Sequence, residues 1–262
     1  MASGPVLWFE GQMTRRRFFA PPDAFNVERR RATLASDEAR HLRDVLRLKE
    51  GAEVYVFDGT GKEFRCGVKQ SARDFAELEI HEEVEPARPE SPLSLTLAVA
   101  LLKGEKFDLV VQKATELGVN RIVPVITRFA DIRLRDESDA HKRVLRWQRI
   151  ALEAAKQSGG AAFPLVNGPM KFGSLLIDTA NQDSLRLLFA ERDGEGLVDL
   201  KQPSPEAITA MVGSEGGWSD EEIDSARARN FHVIILGGRI LRAETAAITV
   251  TALLQHLFGD LK

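Results

Sequence analysis

The sequence predicts a two-part α/β protein, with a small β-barrel first and a parallel α/β layer after it. Three observations predict it. Short strand-like runs separated by turn signals fill the chain to about residue 84. A proline-punctuated stretch, Glu85-Pro86-Ala87-Arg88-Pro89-Glu90-Ser91-Pro92, then interrupts them. Beyond it, apolar runs alternate with helical periodicity, as in a parallel sheet covered by helices. At 262 residues the chain is long enough for two cores. The expected organisation is an extension over 1–12, a barrel over 13–84, a linker over 85–92 and an α/β domain over 93–262.

In the first part, strands are expected at 17–20, 53–58, 62–69 and 76–84. Turn sequences such as Asp58-Gly59-Thr60-Gly61 and Ser71-Ala72-Arg73-Asp74 bound them. One helix interrupts the strands. Ser36 suits its N-cap, Asp37 and Glu38 its first turn, and Gly51 lies past its end. Leu42, Val45 and Leu46 form its apolar stripe and leave Arg40, Arg43 and Arg47 outward. The prolines of the linker keep it extended, because each fixes φ and lacks an N–H.

The second part opens with a buried strand at 93–101. Phe107, Val110, Val111, Ala114 and Leu117 follow at helical spacing, with Gly118 as the stop. A strand at 122–126 leads to a long helix over 139–157. Val144, Trp147, Ala151 and Ala154 face inward on it, and Lys142, Arg143, Arg146 and Arg149 outward. Strands at 185–190, 207–212 and 233–236 come next. Ser219-Asp220-Glu221-Glu222 is a capping box that starts a helix. The final helix, 244–257, carries Ala246, Val250, Leu253, Leu254 and Leu257 on one face.

The last two strands each run into a glycine turn. The first reads Met211-Val212-Gly213-Ser214-Glu215-Gly216-Gly217, and the second Leu236-Gly237-Gly238-Arg239-Ile240-Leu241-Arg242-Ala243-Glu244-Thr245. In open α/β sheets ligands sit beyond the carboxyl ends of strands, where glycine lets backbone amides approach them. A glycine turn alone often does no more than reverse the chain. Two arginines and a carboxylate beside the second turn exceed what a connector needs. Neither turn is a dinucleotide or triphosphate cradle, for no G-x-G-x-x-G opens a βαβ unit and no G-x-x-x-x-G-K-[ST] occurs.

Composition narrows the classes further. The single cysteine, Cys66, excludes an internal disulfide and suits an apolar filler in a strand. The five histidines lack metal-ligand spacing, so no metal is expected. No apolar stretch approaches a membrane span, and residues 1–12 lack a signal-peptide pattern, so a cytoplasmic address is expected. The net charge of −3 argues against a wholly basic nucleic-acid binder. Clusters at Arg15-Arg16-Arg17, Arg29-Arg30-Arg31, Arg40/Arg43/Arg47 and on the 139–157 helix leave room for a basic face.

The motifs, taken in order, resemble the ribosomal RNA small subunit methyltransferase E family of the SPOUT superfamily. They are Arg17-Phe18-Phe19, His41-Leu42-Arg43-Asp44-Val45-Leu46-Arg47, Asp58-Gly59, Lys113-Ala114-Thr115-Glu116-Leu117-Gly118-Val119, Ile122-Val123-Pro124 and Glu153-Ala154-Ala155-Lys156-Gln157-Ser158. Gly213-x-Glu215-Gly216-Gly217 and the run from Leu236 to Ala246 complete the set, over roughly residues 13–262. Ser214, Gly160 and the run Thr127-Arg128-Phe129-Ala130 depart from the family's usual proline, arginine and Glu-Arg-Ser.

The resemblance implies an N-terminal PUA-like β-barrel for RNA and a C-terminal SPOUT α/β domain with a deep trefoil knot. It further implies a homodimer that methylates N3 of a uridine in 16S ribosomal RNA, using S-adenosyl-L-methionine, with free RNA or the small ribosomal subunit as partner. On this reading Met211, Val212, Gly213, Glu215, Gly216, Gly217, Leu236, Gly237, Arg239, Ile240, Leu241 and Thr245 hold the cofactor. Arg242 stabilises the anion that forms when uracil loses its N3 proton, and Glu244 orients the base or accepts that proton. The rival reading makes Glu244 a helix-start carboxylate favoured by the dipole and paired with Arg239 or Arg242. Arg15, Arg16, Arg17, His41, Arg43 and Arg47 are the RNA-binding candidates. The competing activities are ribose 2′-O-methylation on the same fold and RNA binding without catalysis.

Overall fold

A computed structural model describes residues 15–130, 132, 134–180, 182–200 and 205–261, so the extension expected over 1–12 lies outside the described residues. The chain divides into two units, one through Pro89 and one from Glu90.

The first unit is built on β1 (Arg17–Phe19), β2 (Phe25–Asn26), β3 (Arg31–Leu34), β4 (Glu53–Phe57), β5 (Glu63–Ser71) and β6 (Ala76–Val84). They form one sheet in the order β1-β4-β5-β6-β3-β2, antiparallel except for the β1–β4 pair. Alternation does the sorting. Val54 and Val56, Phe64, Cys66 and Val68, and Ala76, Leu78 and Ile80 all point to one buried cluster. Irregularities at Arg65/Cys66 and Val68/Gln70 sharpen the twist of β5 against β6. The sheet curls far enough to bring Phe25 of β2 against Phe64 of β5, ring centroids 5.0 Å apart.

The helix of this unit differs from expectation. Ala35 is its N-cap, and Ser36 opens α1 (Ser36–Arg40) without a side-chain cap. The chain then widens into one π turn over His41–Val45, closed by Leu46 N donating to His41 O at 3.0 Å. A π turn advances the register by one residue. Leu42 therefore stays buried with Ala39, while Val45 and Leu46 turn outward, 67% and 38% exposed.

The second unit contains β7 (Ser94–Ala100), α2 (Lys106–Glu116), β8 (Arg121–Ile126), α3 (Glu137–Ser158), β9 (Leu165–Val166), β10 (Met170–Lys171) and α4 (Phe172–Asp178). It continues with β11 (Leu185–Phe189), β12 (Glu195–Gly196), β13 (Ala207–Val212), α5 (Asp220–Arg227), β14 (His232–Ile235) and α6 (Ala243–Phe258). The sheet is parallel throughout and runs β10-β8-β7-β13-β11-β14-β12, with β9 alongside β8. Both faces are covered, so the strands read as nearly continuous apolar runs. Leu95, Leu97 and Val99, Ile208, Ala210 and Val212, Leu187, Phe189 and Ile234 pack with Phe107, Trp147, Ala247 and Val250 of α2, α3 and α6. Ala98, Met211, Leu188 and Val233 face Leu175 of α4 and Ile223 and Ala226 of α5.

Strand β13 inserts between β7 and β11, and after β14 the chain comes back so that α6 packs on α2, β7 and β13. Its buried face is Ala243, Ala247, Val250, Thr251, Leu254 and Gln255. Ala246 and Leu253 are half-buried and Leu257 is exposed, so the expected face is turned part-way round the helix.

Candidate active site

Strands β13, β11 and β14 are neighbours, and their carboxyl ends stand side by side. The first glycine turn follows β13. It is tight, with Gly217 N donating to Ser214 O at 2.9 Å, and Gly217 takes φ +67°. A Cβ on Gly213 would lie 3.2 Å from the Trp218 Nε1, and one on Gly216 only 2.7 Å from the Phe129 Cβ. Glycine is thus required for packing as well as for conformation. Trp218 is buried, donates its indole N–H to Phe189 O at 2.8 Å, and so ties this turn to the end of β11. Ser214, the departure from the family's proline, donates its hydroxyl to Phe129 O at 3.1 Å. A side-chain bond restrains the turn there in place of a ring.

The second turn follows β14. Gly237 and Gly238 take φ +70° and +72°, and a Cβ on either would meet nothing within 4 Å. The two turns and the end of β11 enclose a cavity of about 180 Å³. Val212, Gly213, Leu236, Gly237, Arg239, Ile240 and Leu241 line it. Phe189, Ala190 and Glu191 add the wall that the sequence reading missed, because only the strand order places β11 between the two turns. Glu191 and Arg239 are the charged side chains of this lining, and the rest is backbone and apolar surface.

Other candidates stand beside the cavity. The Met211 side chain points into the core beneath the sheet. Thr245 is exposed on the first turn of α6. Glu215 meets Lys106, the first residue of α2, with Nζ 2.6 Å from Oε1. Glu244 is buried at the start of α6, and its Oε2 lies 3.8 Å from the same Nζ. That oxygen accepts no hydrogen bond. Its charged neighbour is therefore Lys106, which the sequence reading did not single out. Arg242, the N-cap of α6, is exposed; its carbonyl accepts from the Ala246 N–H at 2.8 Å, while its side chain forms no hydrogen bond or ion pair with another described residue.

The RNA-binding candidates of the first unit divide by exposure. Arg15 and Arg17 converge on Glu63, which is 0% exposed, at 3.1 and 2.9 Å. Each guanidinium also lies 4.7 Å from a ring centroid, Tyr55 for Arg15 and Phe57 for Arg17. The Arg17 side chain is only 7% exposed. Arg43 donates to Asp44 and to Ala72 O, so it braces the π turn against the β5–β6 turn. Its hydrogen bond holds the Asp44 carboxyl below the ordinary carboxylate range. Arg16, His41 and Arg47 are exposed.

Comparison with known proteins decides the family. Residues 89–255 match the RNA methyltransferase domain, and residues 34–80 the RNA methyltransferase PUA domain. Ribosomal RNA small subunit methyltransferase E of Synechocystis sp. is 36% identical over 228 residues, 86% of this chain and 73% of its own length. Its counterpart from Rickettsia conorii is 31% identical over 88% of this chain and 92% of its own. The chain belongs to the ribosomal RNA small subunit methyltransferase E family.

Solved structures agree. The crystal structure of ribosomal RNA small subunit methyltransferase E from Neisseria gonorrhoeae, bound to S-adenosyl methionine, superposes with a TM-score of 0.83. It is 34% identical and covers 95% of this chain and 100% of its own. A putative methyltransferase from Legionella pneumophila with bound cofactor SAM gives 0.83 at 31% identity, over 95% of this chain and 100% of its own. The fold class is therefore the PUA-like β unit followed by a SPOUT α/β domain with its knotted C-terminal segment, and the chain is an RNA methyltransferase. Among the described residues no helix is long and apolar enough to cross a membrane.

Proposed function

We propose that this methyltransferase transfers a methyl group from S-adenosyl-L-methionine to N3 of a uridine in 16S ribosomal RNA, as a cytoplasmic homodimer. The observation that carries the reading is the cavity at the ends of β11, β13 and β14. Its residues fit the cofactor. Open space stands where side chains on Gly237 and Gly238 would be, which leaves the backbone free to approach a ligand. An apolar lining with one carboxylate and one guanidinium suits an amphiphile that carries charge at one end. Gly213, Leu236, Gly237, Ile240 and Leu241 would hold it through backbone and apolar contact, joined by Met211, Val212, Gly216, Gly217 and Thr245 around them. When bound, it supplies an electrophilic methyl group on a sulfonium.

The chain's own task is to prepare the nucleophile. Uracil N3 carries a proton at neutral pH, and removing it leaves negative charge over O2 and O4. Arg242, exposed and engaged with no described carboxylate, stabilises that charge. Glu244 accepts the proton. Its Oε2 is an acceptor without a donor, and a buried acceptor gains by taking an N–H from the substrate. Arg16, His41 and Arg47 offer RNA contacts on the first unit. Arg15, Arg17 and Arg43 support that surface from partners within it.

The test is incubation with S-adenosylmethionine and small ribosomal subunits lacking native methylation, followed by nucleoside mass spectrometry. Appearance of 3-methyluridine is expected. A 2′-O-methylated nucleoside would refute the base assignment while keeping the fold. Cofactor binding without any methylated product would support RNA binding without catalysis.

A further inference from the structure

Lys106 opens α2, and its ammonium stands between two carboxylates from distant parts of the chain. Glu215 belongs to the turn after β13 and Glu244 to the first turn of α6. The distances are unequal, 2.6 Å to Glu215 Oε1 and 3.8 Å to Glu244 Oε2. Only the nearer carboxylate receives a hydrogen bond from Lys106, so Glu244 Oε2 is left buried without a donor. A buried acceptor in this state has a hydrogen bond still to gain. Lys106 and Glu244 stand beside the cavity and are not part of its lining.

The elements packed against α6 limit the charges that face Glu244. Helix α6 packs on α2, β7 and β13, and neither strand carries a charged side chain. On α2, Asp108 is paired with Arg146 and Trp147, and Lys113 with Glu116. That leaves Lys106 from α2, Glu215 from the first glycine turn and Arg242 from the N-cap of α6. The hydrogen bond with Glu215 works against partial desolvation and holds the Lys106 ammonium above the usual lysine range. Glu244 adds to this effect and Arg242 opposes it.

We propose that Lys106 is a positioning residue of the methyl-transfer site, its ammonium held between Glu215 and Glu244 so that it sets the place of the Glu244 carboxylate and supplies the positive charge beside it. The inference rests on the reading of Glu244 as proton acceptor. It assigns Glu215 a role as well. By drawing the ammonium toward itself, Glu215 keeps Lys106 from a close ion pair that would occupy the Glu244 Oε2.

The experiment is the pH dependence of single-turnover methylation, measured for the full chain and for Lys106→Met, Lys106→Arg, Glu215→Gln and Glu244→Gln. Cofactor affinity by calorimetry and thermal melting are recorded for each. Removing the cation disfavours the charged carboxylate, so Lys106→Met moves the acidic limb of the profile up by about one pH unit. On the acidic side of that limb the rate then falls about tenfold, while cofactor affinity stays within about twofold, as expected for a residue that acts through another. Lys106→Arg recovers most of the rate. Glu215→Gln releases the ammonium to Glu244 and moves the limb the opposite way, an opposition that a merely structural role would not produce.

An unchanged limb in Lys106→Met and Glu215→Gln, with Glu244→Gln inactive, would overturn the positioning role and leave the acceptor in place. Methylation surviving in Glu244→Gln would overturn the acceptor reading and the inference with it. If Lys106→Met does not fold, Lys106→Arg and Glu215→Gln still decide the question.

Discussion

Replacing Gly237 and Gly238 by alanine tests whether the second glycine turn is the cradle. Both residues sit at positive φ, +70° and +72°, where a Cβ costs about 1–2 kcal/mol per residue. A Cβ at either position meets no atom within 4 Å, so the cost is conformational and carries no clash. Both residues are exposed and Ile240 beyond them is 89% exposed, so the free turn can relax away from the strained conformation. The strain then falls on binding, which has to restore that conformation. Each single substitution should weaken S-adenosylmethionine binding by about 5- to 30-fold, since 1.4 kcal/mol is a factor of ten. The double substitution should come near the product of the two, with melting temperature little changed. Isothermal titration calorimetry reads the first quantity and thermal denaturation the second. Gly173→Ala in α4 is the control: its Cβ also meets open space, but its φ is not positive, and the change should stabilise by about 0.5–1 kcal/mol without affecting binding. Binding within twofold of the parent in the double variant would refute the cradle.

Further predictions concern stability and reactivity. Glu63→Gln removes the charge that gathers Arg15, Arg17 and the Ala87 N–H, and should destabilise the first unit by about 3–5 kcal/mol in denaturant titrations. A loss under 1 kcal/mol would show that the two arginines find other partners. Trp218→Phe leaves Phe189 O without its 2.8 Å donor and should cost about 1–3 kcal/mol by the same titration, together with weaker cofactor binding. Burial pushes the Cys66 thiol up to about 12, so it should resist alkylation at pH 8 until the chain is unfolded. The same shift is a linkage. The stability it contributes is complete below the ordinary thiol value of 9.0 and is lost as pH rises from there toward 12, because the unfolded chain ionises first. Replacement of Cys66 by alanine should flatten that decline, as followed by melting temperature against pH.

Much of the fold was legible because the signals were local. The glycine turns, the capping box at Ser219 and Glu222, and the apolar periods of α2, α3 and β13 each depend on residues within one or two turns of chain. Two-residue strands such as β9, β10 and β12 were not legible, since only their neighbours in the sheet make them strands. Nor was the π turn at His41–Val45, because a one-residue change of register leaves the apolar pattern ambiguous until packing decides which residues face in.

The sequence by itself determined the family, the α/β alternation and the two glycine turns, since each is carried by residue identity and short-range spacing. The tertiary structure decided which chemistry those residues are free to perform. Strand order placed Phe189 and Glu191 in the cavity between the turns. Residues 46 and 48 positions apart committed Arg17 and Arg15 to Glu63. A contact across 109 positions set Lys106 beside Glu215 and within reach of Glu244. Electrostatic fields act through space, so the charge environment of a carboxylate is set by the elements that fold against it and has no signature in its neighbours along the chain.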